Sequence, residues 1–362
     1  MEFNYNNEFF EEYEKRYMHK QRPSNSHSLK KKKPRRKKGG VQCIALIIAI
    51  CIVVGILVFV PKNKADKTYS AHDDNTAARV TAAEPEPVVY YPKVTDSTVE
   101  FDAFVNSKHG VLVRLSDNTV IAERKADEKM YPASMTKLLT LITAMDYIDN
   151  LEDTYVMTEK IVNDAYLAGA SVAGFSAGEK IKIIDLLYGT ILPSGADATE
   201  GLADYIAGGE EQFAKLMNKK AQSLGLTTLN FTNSSGLHSE NHYCTANDMA
   251  VILGEVIKNP TCKKIISTYK YTTGYTEKHP EGLPLVNTMF KYMYGDEPEG
   301  VNILAGKTGF TSQAGNCLAS YAEDEQGNGY ICVTSGAEGR YKMVFDHINI
   351  YSHYIGGKEI TQ

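Results

Sequence analysis

Eighteen consecutive apolar residues, Cys43–Val60 ("CIALIIAICIVVGILVFV"), constrain this chain more than any other feature. No charge interrupts the run, and with Val41 and Gln42 at its edge it is just long enough for one helix to cross a bilayer. The basic cluster "KKKKPRRKK", Lys30–Lys38, precedes it, as expected for the cytoplasmic flank of a membrane helix. A secretory signal peptide fits less well: the apolar core is too long, no small-x-small cleavage site follows, and a long segment comes before it. A nucleic-acid patch is also disfavoured, because a basic run that abuts an apolar span reads as an anchor. The sequence therefore predicts a single-pass cell-membrane protein with a cytoplasmic N-terminus and everything beyond Val60 outside.

The rest divides around that span. Residues 1–40, acidic in "EFFEEYEK" and then basic, show no sustained apolar face and predict a disordered cytoplasmic segment. Residues 41–60 are the transmembrane helix, and 61–97, with "AAEPEPVVYYPK", read as an extracytoplasmic linker stiffened by proline. One folded domain is expected over 98–362. Of the six cysteines, Cys43 and Cys51 lie in the span, leaving Cys244, Cys262, Cys317 and Cys332 outside, where disulfides are permitted. Four cysteines allow three pairings. Cys317 and Cys332 fall on two runs that could be neighbouring strands, so that pair is the first to test. No C-x-x-C or closely spaced Cys/His set is present, and the sequence predicts no metal site and no cofactor. His238 and His242 in "GLHSENHY" are read as part of a structural loop.

Within the folded part, "GVLVRLSDNTVIAERKADEK" alternates on either side of "SDN" and predicts a β-hairpin. From Val156 to Ala250 the pattern is helix and loop, and "TAND", Thr245–Asp248, has the form of a capping box ahead of "MAVILGEVI". Two strand-like runs, "ILAGKTGFTSQAGNCLASYAED" and "GYICVTSGAEG", flank the turn "EQGNG", and a closing helix is expected from about Tyr341 to Tyr354. Strands, a helical block, strands and a helix imply an α/β (α+β) domain whose antiparallel sheet is flanked by helices.

The chemistry is written in "MYPASMTKLLTLITAMDYI", Met130–Ile148. Leu138, Leu141, Ile142, Met145 and Ile148 recur at helical spacing, and Pro132 suits a first turn. Ser134 and Lys137 then share one face about a turn apart. A serine hydroxyl becomes a nucleophile when a base takes its proton, and a lysine can be that base when burial or a nearby cation lowers its pKa. A second cation and a small polar relay are needed: "LPSGADA" offers Ser194 on a turn, and "GKTGF" offers Lys307, Thr308 and Gly309 on a strand. S-x-x-K occurs three times, also at Ser28/Lys31 and Ser267/Lys270, so order and company carry the signal.

Order and company here resemble the low-molecular-weight penicillin-binding proteins, the serine D-alanyl-D-alanine carboxypeptidases of peptidase family S11. "KADEKMYPASMTKLLT", "DLLYGTILPSGADA", "FTNSSGLHSENHYCTANDMA" and "AGKTGFTSQAGNCLAS" are similar to that family in sequence and phrasing, from about Val99 to the C-terminus. The resemblance implies a β-lactamase/DD-peptidase-like fold, with a helical subdomain packed on a mixed α/β one and the site between them. It implies a peptidoglycan stem peptide ending in D-Ala-D-Ala as partner, and β-lactams as inhibitors. Ser134 would attack the carbonyl between the two D-alanines, Lys137 would be the general base, and Ser194 would relay a proton to the leaving group. Lys307 and Thr308 would hold the substrate carboxylate, and the charge of Lys307 would keep Lys137 neutral. The oxyanion would sit between the backbone N–H groups of Ser134 and Phe310, with Gly309 allowing close approach. Set against that resemblance, the short stretch after K-T-G leads to the expectation of a truncated family member without the additional β-domain that many relatives carry.

One position departs from the family: its second motif usually ends in asparagine, and here that residue is Ala196. Asp197, a neighbouring group or water would have to replace the missing amide. A class A-like β-lactamase is a competing reading, but no convincing carboxylate base lies between the second and third motifs. A catalytically weak cell-wall-binding pseudoenzyme, with Ala196 as its cause, is another.

Overall fold

Period-two alternation at both ends of the domain produces one six-stranded sheet, and the helical block is inserted between its halves. The computed structural model describes residues 91–293 and 295–360. The expected cytoplasmic segment, the expected transmembrane helix and most of the expected linker lie outside the described residues. Among those described, no helix is long and apolar enough to cross a membrane.

The first strands are β1 (Val99–Glu100), β2 (His109–Arg114) and β3 (Thr119–Arg124). Two short ribbons follow within the helical block, β4 (Thr154–Val156) with β5 (Lys180–Lys182) and β6 (Lys270–Thr272) with β7 (Pro284–Val286). The long strands β8 (Val301–Thr311), β9 (Gly315–Asp324) and β10 (Gly329–Ala337) complete the sheet, in the order β1-β3-β2-β10-β9-β8. Every neighbouring pair is antiparallel except the short β1–β3 contact. β10 pairs with β2, Leu112 opposite Cys332, and so joins the two ends of the domain.

Alternation assigns the two faces. Val111, Val113, Cys317, Ala319, Ile331 and Val333 join the core beneath the helical block, with Leu138, Leu139 and Leu141 of the Lys137–Met145 helix. Each such leucine contributes roughly 1.5–3 kcal/mol of burial. Leu112, Leu318 and Cys332 face the other way, onto Met343, Val344 and Ile350 of the closing helix, Arg340–Tyr354. Helices therefore cover both faces, in the mixed architecture expected.

Local signals acted as read in several places. The hairpin closes over Leu115–Asn118, and Thr245 and Asp248 form a reciprocal capping box at the start of the Ala246–Lys258 helix. Three expectations are corrected. The folded part begins before Val99: Lys93 bridges to Thr119, and the Tyr91 hydroxyl donates to Asp127 at 3.2 Å. Ser134 lies on a 3-10 turn, Ala133–Thr136, and the α-helix starts only at Lys137. All four cysteines in the described region are free and buried. Cys317 lies opposite Gly309 and Cys332 opposite Ser320, on opposite faces of the sheet, so the proposed bond cannot form.

Candidate active site

The 3-10 turn is shaped by what presses on it. Pro132 caps it, and Ala133 has φ 46°, a left-handed conformation that a residue with a Cβ seldom adopts. Two glycines make room. A Cβ on Gly309 of β8 would lie 3.0 Å from both the Pro132 carbonyl oxygen and the Ser134 nitrogen. A Cβ on Gly236, itself at φ 83°, would lie 1.9 Å from the Ala133 carbonyl oxygen. Wedged between them, the turn buries Ala133, Met135 and Thr136 and leaves Ser134 partly accessible.

Lys137 is only 2% exposed. Its Nζ donates to Ser134 Oγ at 3.2 Å and to the Ser235 carbonyl at 2.6 Å. Burial lowers its pKa from 10.5 to about 8, against the opposing pull of Glu210, Asp197 and Glu200. A lysine in that range is a competent base near neutral pH.

Ser194 faces this pair from the turn between the Ile183–Ile191 and Ala196–Ala207 helices, and it too is left-handed, at φ 65°. Its Oγ accepts from Lys307 Nζ at 2.8 Å, and Lys307 also donates to the Thr308 carbonyl at 2.8 Å. Lys307 is 1% exposed. Burial, then the charge of Lys137, push its pKa well below the usual value. This corrects one expectation: Lys307 stands behind Ser194 and does not itself line the cleft. Thr308 does line the cleft, and its hydroxyl shares a hydrogen bond with Thr288.

Ser134, Lys137, Ser194, Thr308, Gly309 and Phe310 thus converge on one cleft of about 600 Å³. Phe310, 63% exposed, and the pair Tyr292 and Arg340, with the guanidinium 5.6 Å from the ring centre, form part of its rim. Ala196 is in the lining as well, next to Ser171, whose carbonyl accepts the Ala196 N–H at 2.7 Å. Asp197 does not replace the missing amide. Its carboxylate accepts the N–H groups of Ala173, Gly174 and Phe175 at 2.7, 3.0 and 3.1 Å, and so anchors the neighbouring loop. His242 is structural, as read: its Nδ1 accepts the Thr232 N–H at 3.1 Å, leaving Nε2 to donate to Thr136 Oγ1 at 2.8 Å. Sequence reading missed Ser234–Gly236. They act largely through backbone atoms, and the only hint was the glycine of "SSG".

The fold and the two facing serine–lysine pairs define an α/β serine-hydrolase architecture whose cleft lies between a sheet edge and a helical block. The chain belongs to the D-alanyl-D-alanine carboxypeptidase family, peptidase S11, whose profile matches residues 95–339. It is 34% identical over 220 residues to the D-alanyl-D-alanine carboxypeptidase DacF of Bacillus subtilis, covering 60% of this chain and 54% of that one. It is 32% identical over 239 residues to DacC of Escherichia coli, covering 64% and 56%. The chain spans about half the length of these curated relatives. In fold it is similar to a variant of the Streptomyces K15 DD-transpeptidase, with TM-score 0.65, 24% identity and coverage of 70% of this chain and 98% of that one. Penicillin binding protein 5 from Haemophilus influenzae gives TM-score 0.62 at 27% identity, covering 71% and 76%.

Proposed function

We propose that this protein is a membrane-anchored, penicillin-binding serine carboxypeptidase that removes the terminal D-alanine from peptidoglycan stem peptides. The observation that carries the reading is the buried Lys137 amine, 3.2 Å from a partly accessible Ser134 hydroxyl. Neutral Lys137 takes the Ser134 proton as Oγ attacks the carbonyl carbon between the two D-alanines. The N–H groups of Ser134 and Phe310 receive the oxyanion, a contribution typically worth ~10²–10³ in turnover per donor. As the C–N bond breaks, the Ser194 hydroxyl passes a proton to the departing D-alanine amine and takes up the one Lys137 removed from Ser134, which leaves Lys137 neutral again, while Lys307 holds Ser194 from behind by a hydrogen bond. Water, deprotonated by Lys137, then cleaves the acyl-enzyme ester. Thr308 and Gly309 hold the substrate along β8.

A β-lactamase reading requires a carboxylate that activates the deacylating water. Among the described residues lining the cleft the only carboxylate is Glu338, an exposed side chain 3.5 Å from Lys342, which disfavours that alternative. A non-catalytic binder remains the reading to defeat, because Ala196 carries no amide. The deciding experiment is D-alanine release from a synthetic stem peptide, with Ser134→Ala as control. Release abolished by the variant supports the enzyme, and binding without release supports the binder. The apolar run Cys43–Val60 motivates the anchoring, with the cleft outside the cell membrane. Protease accessibility in intact cells tests it, and a protected catalytic domain would contradict it.

A further inference from the structure

Glu210 opens the Glu210–Ser223 helix and is not part of the cleft lining. One of its carboxylate oxygens accepts the Ser234 N–H at 2.8 Å, and the other accepts the Ser234 hydroxyl. Ser234 is fully buried, and its carbonyl accepts the Thr140 hydroxyl at 2.6 Å. The next carbonyl, that of Ser235, accepts Lys137 at 2.6 Å, a closer contact than the 3.2 Å to Ser134. Gly236 then backs the Ala133 carbonyl. One carboxylate therefore grips the first of three consecutive residues, each of which touches the Ser134 turn or its helix.

We propose that Glu210 is a positioning residue for Lys137: its clamp on Ser234 sets the carbonyl that orients the amine. Its carboxylate also opposes the burial of that amine. The inference rests on the reading of Lys137 as the base. The ionisable groups facing Lys137 are Glu210, Asp197 and Glu200 on the acidic side, with Lys307 and His242 on the basic side. The Asp197 carboxylate is already engaged by three loop N–H groups. Burial first, then Glu210, raise the Glu200 pKa to about 7, so that group is only partly ionised near neutrality. Glu210 is the strongest of the charges opposing the burial of Lys137.

The test uses the full chain and two readouts. Glu210→Gln keeps an acceptor for the Ser234 N–H and offers its amide to the Ser234 hydroxyl, but removes the charge. The rising limb of β-lactam acylation against pH, and the Lys137 side-chain titration followed by NMR, both move about one pH unit lower in this variant. Glu210→Ala also releases the clamp, and acylation falls about 10- to 100-fold at its optimum, as for other small misplacements of reacting groups. A wild-type NMR titration in Glu210→Gln overturns the inference, and it does so even if Glu210→Ala fails to fold. Should wild-type protein resist acylation, the carboxypeptidase reading fails while the titration still decides the role of Glu210.

Discussion

Beneath the closing helix the sheet buries an aspartate, a histidine and a tyrosine; beneath the helical block it buries two lysines. The first group is fully matched. Asp346 accepts the N–H groups of Asn106 and Ser107 at 2.8 Å each and the Ser107 hydroxyl at 2.6 Å. His347 contacts Ser320 Oγ at 2.7 Å and Thr334 Oγ1 at 3.0 Å, and Tyr351 shares Ser320 at 3.0 Å. The lysines donate only to hydroxyls and carbonyls, and among the described residues no carboxylate is in hydrogen-bond contact with them. Burying a cation without a counter-ion costs several kcal/mol, whereas a satisfied polar network stabilises. Buried polarity alone therefore does not mark a site; buried charge left short of partners does.

Substitutions can break that contrast, the largest effect first. Lys137→Met fills the same space without a charge. Acylation by a fluorescent penicillin should fall at least about 10³-fold, while melting temperature holds or rises. A large loss of melting temperature would show that the lysine is structural. Gly309→Ala drives a Cβ against the Ser134 nitrogen, so acylation should drop ~10²-fold at nearly unchanged substrate affinity. An unaltered rate constant would remove β8 from the mechanism.

On the other face the signs reverse. His347→Ala strands the Ser320 and Thr334 hydroxyls and opens a cavity, which should destabilise by about 2–4 kcal/mol in urea melts. Acylation per folded molecule should stay at the wild-type level, and a loss there would erase the distinction drawn between the two faces. The smallest effect is a pH dependence. Burial lowers both His242 and His347 from 6.5 to about 3. Between those values the unfolded chain binds protons that the folded one does not, so stability falls as pH drops from about 6.5 toward 3. The slope is at most about 1.4 kcal/mol per pH unit for each histidine. His347→Gln should flatten that slope, and an unchanged slope would place the proton uptake elsewhere.

Legibility followed chemistry carried by side chains. Ser134, Lys137, Ser194 and Lys307 could be found because hydroxyl and amine at set spacing are visible in sequence, and folding brings all four together. The left-handed Ala133, the Ser235 carbonyl and the space beside Gly236 are backbone features with almost no residue signature. Burial was the other blind spot. Lys307 reads as a cation that could hold a substrate carboxylate, yet the register of β8 turns it inward behind Ser194. The cysteine pairing failed for a reason that the strands do contain, since register and period two put Cys317 and Cys332 on opposite faces. The capping box and the hairpin were legible because their determinants are local.

The central claim is that an uncharged Lys137 activates Ser134, and the pH dependence of β-lactam acylation, read by intact-protein mass spectrometry, tests it most directly. The account predicts a single adduct on Ser134 whose rate of formation climbs as pH rises through about 8, where Lys137 loses its proton. An adduct that forms equally fast well below that pH, or none on Ser134 at any pH, would contradict it.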